Sequence, residues 1–457
     1  MAVSIHSNKI DMLNGSIWNK LIIFSFPIIL SSLMQQLFNS ADIAVVGRFA
    51  GSHALAAVGS TGAIVSLLIN LFVGFSIGAN VIIARCIGEE NYSRVQKAIP
   101  TAYTIALIGG FSLIFLGWFL AYPMLEIINT PEEVLPLAAL YLRIYFCGMP
   151  FFMVYNTGSA ILRSNGDTKR PLYALFLAGI LNVILNLVFV IVFRMSVAGV
   201  ALATVISNSV SAVLVTVFLV REEGMMHLDL RALRIHRNEL KDIVMIGLPA
   251  GLQGAIFSFA NASIQSGINS FGTQAIAGSA TSNNFNVLSY FTVAGFNQAT
   301  MTFVSQNFGA GKYDRVKCVF RDAMLLAFVS AGTLSLSFWV FRYPLLGIFT
   351  ADPEVIEMAI IKMIYMELPH CMIALYEITG STLRGIGKSM LPTVLMVFGT
   401  CIFRVCWVLF VVPVHHTLHM LYVVYPLSWI ITSALVIPAL FIEEKRIFAA
   451  CQTSLNG

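Results

Sequence analysis

Apolar runs of about 20 residues or more recur twelve times along the chain, near residues 17–46, 53–82, 98–121, 133–161, 171–193, 197–220, 243–269, 275–304, 320–341, 355–382, 391–413 and 419–442. About 20 residues is the length at which a helix crosses a hydrocarbon core of ~30 Å. Inside lipid every backbone polar group must be satisfied internally, which leaves helices and closed barrels. The runs lack the ten-residue alternation of a membrane barrel. The chain therefore reads as an all-α integral membrane protein with twelve transmembrane helices. Composition agrees: 58% hydrophobic and 11% charged residues over 457 positions leave too little polar material to cover a soluble globule of this size. The seven cysteines are an odd number, and Cys147, Cys371, Cys401 and Cys406 fall inside apolar runs, so neither a disulfide framework nor a CxxC metal site is expected. The first apolar segment is too long for a signal-peptide core, and no cleavage is expected.

Twelve crossings return both termini to one side. Lys9, Lys20, Arg85, Arg94, Lys97, Arg163, Lys169, Arg170, the five bases from Arg221 to Lys241, the four from Lys312 to Arg321, Arg384, Lys388, Lys445 and Arg446 fall at the ends of alternate segments. They are 21 of the 27 Lys and Arg, which makes these loops and both termini cytoplasmic and assigns the net charge of +5 to topology, with no nucleic-acid surface. The opposite loops are short and poor in base. His415, His416 and His419 lie there without an accompanying acid or Cys, and read as a solvated loop, not a metal site.

A hydrophilic stretch from Arg221 to Lys241 divides the chain into six segments and six. A shift of 221 residues superposes Gly74, Gly88, Tyr92, Arg94 and Val95 on Gly295, Gly309, Tyr313, Arg315 and Val316, and Tyr155, Leu162, Arg163, Gly166 and Pro171 on Tyr376, Leu383, Arg384, Gly387 and Pro392. The expected organisation is a cytoplasmic N-terminal segment 1–16, a six-helix lobe 17–220, a cytoplasmic linker 221–242, a second six-helix lobe 243–442 and a cytoplasmic tail 443–457. Repeats with an even number of helices enter the membrane in the same sense and are related by an axis along its normal. Two homologous six-helix bundles around a central cavity follow, an architecture suited to alternating access.

Four motifs resemble a known family. They are SADIAVVGR in the first segment, GEENYSRV at Gly88 to Val95 with its partner GAGKYDRV at Gly309 to Val316, LRSNGDTKRP at Leu162 to Pro171, and its partner LRGIGKSMLP at Leu383 to Pro392. Together they look like the multidrug and toxic compound extrusion (MATE) transporters, over essentially the whole chain. The resemblance implies a V-shaped pair of lobes in the cell (plasma or inner) membrane. It implies a monomer, not an enzyme, that exports small organic cations or amphipathic drugs against H⁺ or Na⁺ and needs no other cofactor.

Asp42 draws attention before any resemblance, because a carboxylate inside a membrane segment is costly unless partnered, hydrated or protonated. The resemblance assigns the coupling cation to Asp42 with Asn156, Asn182 and Thr204, and makes Pro27 a kink in the first helix. These oxygen donors suit Na⁺, and the carboxylate alone suits H⁺; no other metal is expected. Where many relatives read Asn-x-x-x-Asp on the fifth helix, this chain reads Asn182-Val-Ile-Leu-Asn186, which leaves Asp42 as the single acid well inside that lobe. In the second lobe the tenth segment supplies Glu367 and Glu377 as candidate coupling acids, and the eleventh supplies Arg404. Some family members place an acid in the seventh helix, where this chain offers only Gln253, Asn261 and Gln265. Because Asn156 maps onto Glu377 and Asn182 onto Phe403, the neighbour of Arg404, a structural ion pair between Glu377 and Arg404 is expected. Gly74 and Gly78 read as close helix packing. Phe151, Phe152, Phe257, Phe285 and Phe291 are candidates for the apolar wall of a drug cavity. A lipid-linked oligosaccharide or polysaccharide flippase of the same superfamily is the alternative, but an anionic cargo calls for more deep bases than Arg404.

Overall fold

A computed structural model describes residues 9–128 and 130–455; the first eight residues of the expected N-terminal segment and the last two of the expected tail lie outside the described residues. The helices in chain order are α1 (Ile17–Phe49), α2 (Ser52–Gly88), α3 (Tyr92–Ile127), α4 (Leu135–Cys147), α5 (Met149–Ser164), α6 (Lys169–Leu187), α7 (Ser196–Val220), α8 (Arg237–Asn269) and α9 (Thr273–Gly309). They continue as α10 (Tyr313–Val340), α11 (Arg342–Gly347), α12 (Pro353–Met366), α13 (Ile373–Gly385), α14 (Met390–Met396), α15 (Phe403–Cys406), α16 (Leu418–Tyr422) and α17 (Val424–Leu455). No strand occurs among the described residues.

Ten helical stretches are long and apolar enough to cross a bilayer, and α4 with α5, bent by 45° at Gly148, makes an eleventh. The twelfth expected segment is α9. It is 37 residues long, but its five Asn and three Gln place it below the hydropathy of the others although it contains no charged residue. Gly148 and Pro150 account for the break between α4 and α5, since Pro150 has no N–H to donate back along the helix. The tenth segment is interrupted at the equivalent place: under the 221-residue shift Gly148 falls on Pro369, between α12 and a 3₁₀ turn at His370–Met372. α1, in contrast, runs through Pro27 without interruption. After Asn186, α6 passes into a wide π turn at Val188–Val192, and similar turns lie on either side of Arg404 at Val397–Ile402 and Trp407–Val411.

The chain forms two compact units. One comprises residues up to Gly15, Ile22–Ala255 and Ser305–Gly311; the other comprises Ser16–Leu21, Ile256–Val304 and Lys312 onward. The first unit is built on Val46, Ala57, Leu113, Leu125, Leu142 and Val200. A satellite core in the second gathers Phe285, Leu346, Ala359 and Met363. Within the first unit α2 crosses α8 with almost no side-chain spacing. A Cβ on Gly74 would lie 2.4 Å from the Gly247 carbonyl oxygen, and one on Gly78 2.3 Å from that of Ile243. Contact this close is open only to glycine, so both residues are used for packing.

The duplication is also legible in the backbone. Gly166 and its equivalent Gly387 both have φ of 89°, and Glu90 (53°) matches Gly311 (68°). The GEENYSRV and LRSNGDTKRP loops and their partners are thus the same left-handed turns made twice.

Candidate functional site

Two helices of the first unit bring polar side chains to Asp42 of α1. α6 carries Asn182 and Asn186 one turn apart, so both face the same side, and α7 carries Thr204. Asn186 Nδ2 donates to Asp42 Oδ1 and, at 3.2 Å, to Asn182 Oδ1. The single hydroxyl proton of Thr204 lies between two acceptors, Val200 O at 3.0 Å and Asp42 Oδ2 at 3.4 Å. Asn182 Nδ2 is 3.5 Å from Thr204 Oγ1. Asp42 therefore has one committed donor and one contested donor. Asn186 Oδ1 is buried and has no hydrogen-bond partner.

This group borders a cavity of about 260 Å³ lined by Gln35, Asn39, Tyr145, Phe152 and Tyr155, among others. Gln35, Asn39 and Asp42 follow the i, i+4, i+7 spacing of one helix face, a polar stripe visible in the sequence but not singled out there. The donor set suits a small hard cation: a carboxylate, a hydroxyl and two amide oxygens, one of them unsatisfied. It suits a proton equally, taken by the carboxylate alone.

The structure does not bring Asn156 to this group. Its amide donates to Phe152 O at 2.9 Å in its own helix, while the neighbouring Tyr155 lines the cavity. One residue along an α-helix is a rotation of ~100°, so the two side chains leave α5 in different directions. Of the five phenylalanines proposed as a drug wall, Phe152 borders this cavity. Phe151 is exposed, and Phe285 packs on Phe338 and Phe349.

In the second unit Glu377 and Arg404 are separate, which corrects the expected ion pair. Glu377 accepts from Asn297 Nδ2 of α9. Arg404 donates from Nε to Ser428 Oγ at 3.0 Å and from Nη1 to Asn261 Oδ1 at 3.4 Å, and lies 4.7 Å from the centre of the Tyr425 ring. The reason lies in the register. The repeat places Phe403, not Arg404, opposite Asn182, and the one-residue step turns the guanidinium toward α17 and α8.

Glu367 has a richer environment than its sequence position suggested. It is fully buried and accepts from Ser289 Oγ at 3.0 Å, while its Oε1 has no partner. Asn286 reaches the buried His370 at 3.2 Å, and His370 Nε2 is also without a partner. One turn earlier, the buried Lys362 donates to Ser279 O at 3.1 Å and Ser279 Oγ at 2.9 Å. Ser279, Ser282, Asn286 and Ser289 form a 3.5-residue polar stripe on α9, the signal by which Lys362 and His370 could have been linked to Glu367 from sequence. His416 and His419 are engaged singly, with Ser270 and Tyr365.

The sequence matches the family model MatE over residues 27–188 and 249–408, two blocks whose starting points nearly reproduce the 221-residue shift. The chain belongs to the MatE family. Membership makes it a membrane transporter. This MatE protein is similar to the probable multidrug resistance protein YoeA of Bacillus subtilis, at 27% identity over 84% of each chain. It is also similar to the probable multidrug resistance protein NorM of Thermotoga maritima, at 27% identity over 82% of each. Its fold is that of a multidrug resistance MATE family transporter of the MOP superfamily solved in an outward-facing conformation. The TM-score is 0.89 at 22% identity, covering 97% of this chain and 99% of that one.

Proposed function

We propose that this MatE protein is a secondary active multidrug exporter of the cell membrane. It exchanges organic cations or amphipathic drugs for H⁺ or Na⁺ by alternating access of lobes 17–220 and 243–442, with both termini cytoplasmic. The observation that carries the reading is Asp42, a membrane carboxylate with one firm donor beside a cavity and next to an unsatisfied amide oxygen. The relatives named for multidrug resistance support the cargo class. A flippase for anionic lipid-linked sugars would need Arg or Lys at the cavity, and none is among its lining residues.

The chemistry follows from the Asn186 amide. Ionised Asp42 accepts hydrogen bonds, so the amide turns its N–H₂ toward it. A protonated Asp42 donates, and a bound Na⁺ needs oxygen; either is served by the same half-turn of the amide, which brings Oδ1 to the carboxylate. H⁺ and Na⁺ therefore select one amide orientation and the ion-free carboxylate selects the other. Cationic drug and coupling ion compete for the same negative charge, which is the requirement for exchange. The test is efflux of a monovalent cationic dye from proteoliposomes with a pH gradient and a sodium gradient imposed separately. Acceleration by either gradient is the expected result, and dye movement indifferent to both contradicts the reading.

A further inference from the structure

A surface motif occurs twice at the 221-residue offset: Trp118-x-x-x-Tyr122-Pro123-x-Leu125 and Trp339-x-x-x-Tyr343-Pro344-x-Leu346. In both copies a guanidinium lies over both rings. Arg143 is 5.3 Å from the centre of the Trp118 ring and 5.2 Å from that of Tyr122. Arg342 is 4.3 Å from the Trp339 centre and 4.7 Å from that of Tyr343. The two arginines are not equivalents under the shift, since Arg143 comes from α4 and Arg342 from within the motif. Two halves of one chain thus reach the same object, an arginine held by a Trp and a Tyr, through different residues.

The leucines anchor the motif in the core, both fully buried, whereas Trp118 (52%), Tyr122 (36%) and Tyr343 (59%) are exposed and Trp339 is half-buried against the Phe285–Leu346 core. Each Trp stands 26 residues beyond the first residue of its helix, Tyr92 or Tyr313, or ~39 Å along the axis. A bilayer is ~30 Å thick in hydrocarbon and ~40–45 Å with headgroups, so both boxes sit at headgroup level on the side away from the Arg94 and Arg315 loops. That is the level at which Trp and Tyr collect. Neither arginine has an ion-pair partner among the described residues. Arg342 donates to Trp339 O at 2.9 Å, and the Nε of both is without a hydrogen-bond partner. A cation partly desolvated by two rings at the membrane surface calls for an anion. The anion that meets this need is the phosphate of a lipid headgroup with net negative charge, not neutralised by a choline of its own; the planar fork of a guanidinium binds it in a way that an ammonium cannot.

We propose that the two Trp–Arg–Tyr boxes are a matched pair of binding sites for anionic phospholipid headgroups. Each homologous half carries one, at the end of its helix away from its own loop, that of Arg94 in the first and that of Arg315 in the second. The assignment is independent of the transport reading. It is tested on the purified full chain in detergent by thermal unfolding and native mass spectrometry, with dioleoyl phosphatidylglycerol, dioleoyl phosphatidylcholine and soluble glycerol phosphate at equal phosphate concentration. Phosphatidylglycerol should raise the melting temperature and remain bound, and the other two should do neither. Arg143→Gln and Arg342→Gln should each remove about half of the shift and one retained lipid, and the double variant all of both. The double substitution to Lys keeps the charge and the fold but loses the fork, and should keep less than half of the shift. A full phosphatidylglycerol effect in the double Gln variant overturns the proposal. So does equal stabilisation by phosphatidylcholine, or by glycerol phosphate, which would mark a soluble-anion site.

Discussion

Asn186 sets what Asp42 can hold. As an amide it offers either a donor or an acceptor without charge; an aspartate there would bring a second titratable carboxyl. Asn186→Asp should move the pH profile of transport to higher pH by roughly one unit, because adjacent carboxylates do not both ionise freely. An unmoved profile, measured as initial efflux rate from pH 5.5 to 8.5, would separate residue 186 from the site. Glu377 and Arg404 give an opposite kind of prediction. Glu377 has Asn297 and the charge of the buried Arg384 near it, Arg404 has Ser428, Asn261 and Tyr425, and the two sets share no member, so the stability losses of Glu377→Gln and Arg404→Gln, of the order of 1–3 kcal/mol each, should add to within ~0.5 kcal/mol in the double variant. Strong non-additivity in a thermal cycle would restore the ion pair. These residues also mark the limit of sequence reading. Asp42, Asn182, Asn186 and Thr204 could be named from motif positions, since polar groups in apolar helices are few. Whether Asn156 or Tyr155 faces the cavity, and where Arg404 points, depends on a rotation of one residue, which α5 and the π turns around Arg404 set through packing.

The breaks at Gly148 and Pro369 show why segment lengths were easier to read than segment shapes. Apolar length follows from bilayer thickness, but the helix interruptions depend on which carbonyls find another partner. α9 was legible as a segment and not as a polar face, because no charge in it betrays the Ser279 to Ser289 stripe. Lys9 and Ile10, ahead of α1, are fastened more firmly than their polar surroundings in the sequence suggest. Lys9 pairs with Glu222 at 2.8 Å and Arg170 with Glu222 at 2.5 Å, and Ile10 N donates to Gly166 O at 3.1 Å. Burial of Glu222 opposes its charge, but hydrogen bonds and charge from Lys9 and Arg170 outweigh that, so its carboxyl is held below the usual range. A carboxylate lowered in this way adds stability above its unfolded value of ~4.3 and loses it as pH falls through the folded value. Glu222→Gln should therefore cost about 1 kcal/mol or less between pH 5 and 7. The melting-temperature gap between wild type and variant should narrow as pH falls below ~4.3. A gap that stays constant with pH would mean that the clasp does not depend on the charge of Glu222.

At the scale of the whole molecule, two copies of one helical plan have diverged in what they bury. The first unit gathers one acid with amides and a hydroxyl beside a cavity, while the second buries Glu367, Glu377, Lys362, His370, Arg384 and Arg404. The duplication itself was plain in the sequence, because glycines and loop arginines recur at a fixed offset. The different chemistry of the halves was not, since equivalent positions carry unrelated side chains. If Asp42 alone couples, one charge enters as one monovalent drug leaves, and efflux should be nearly independent of membrane potential. A net charge would instead gain about 2.3 kcal/mol per 100 mV, roughly fiftyfold in gradient. Strong potential dependence would place a second ion on the Glu367 group. The central claim, that Asp42 is where drug and coupling ion exchange, is tested most directly by Asp42→Asn in proteoliposomes. The variant should insert and melt like the wild type, because the amide is nearly isosteric, yet lose dye efflux driven by pH or sodium gradients. Gradient-driven efflux at the wild-type rate in that variant would contradict the account.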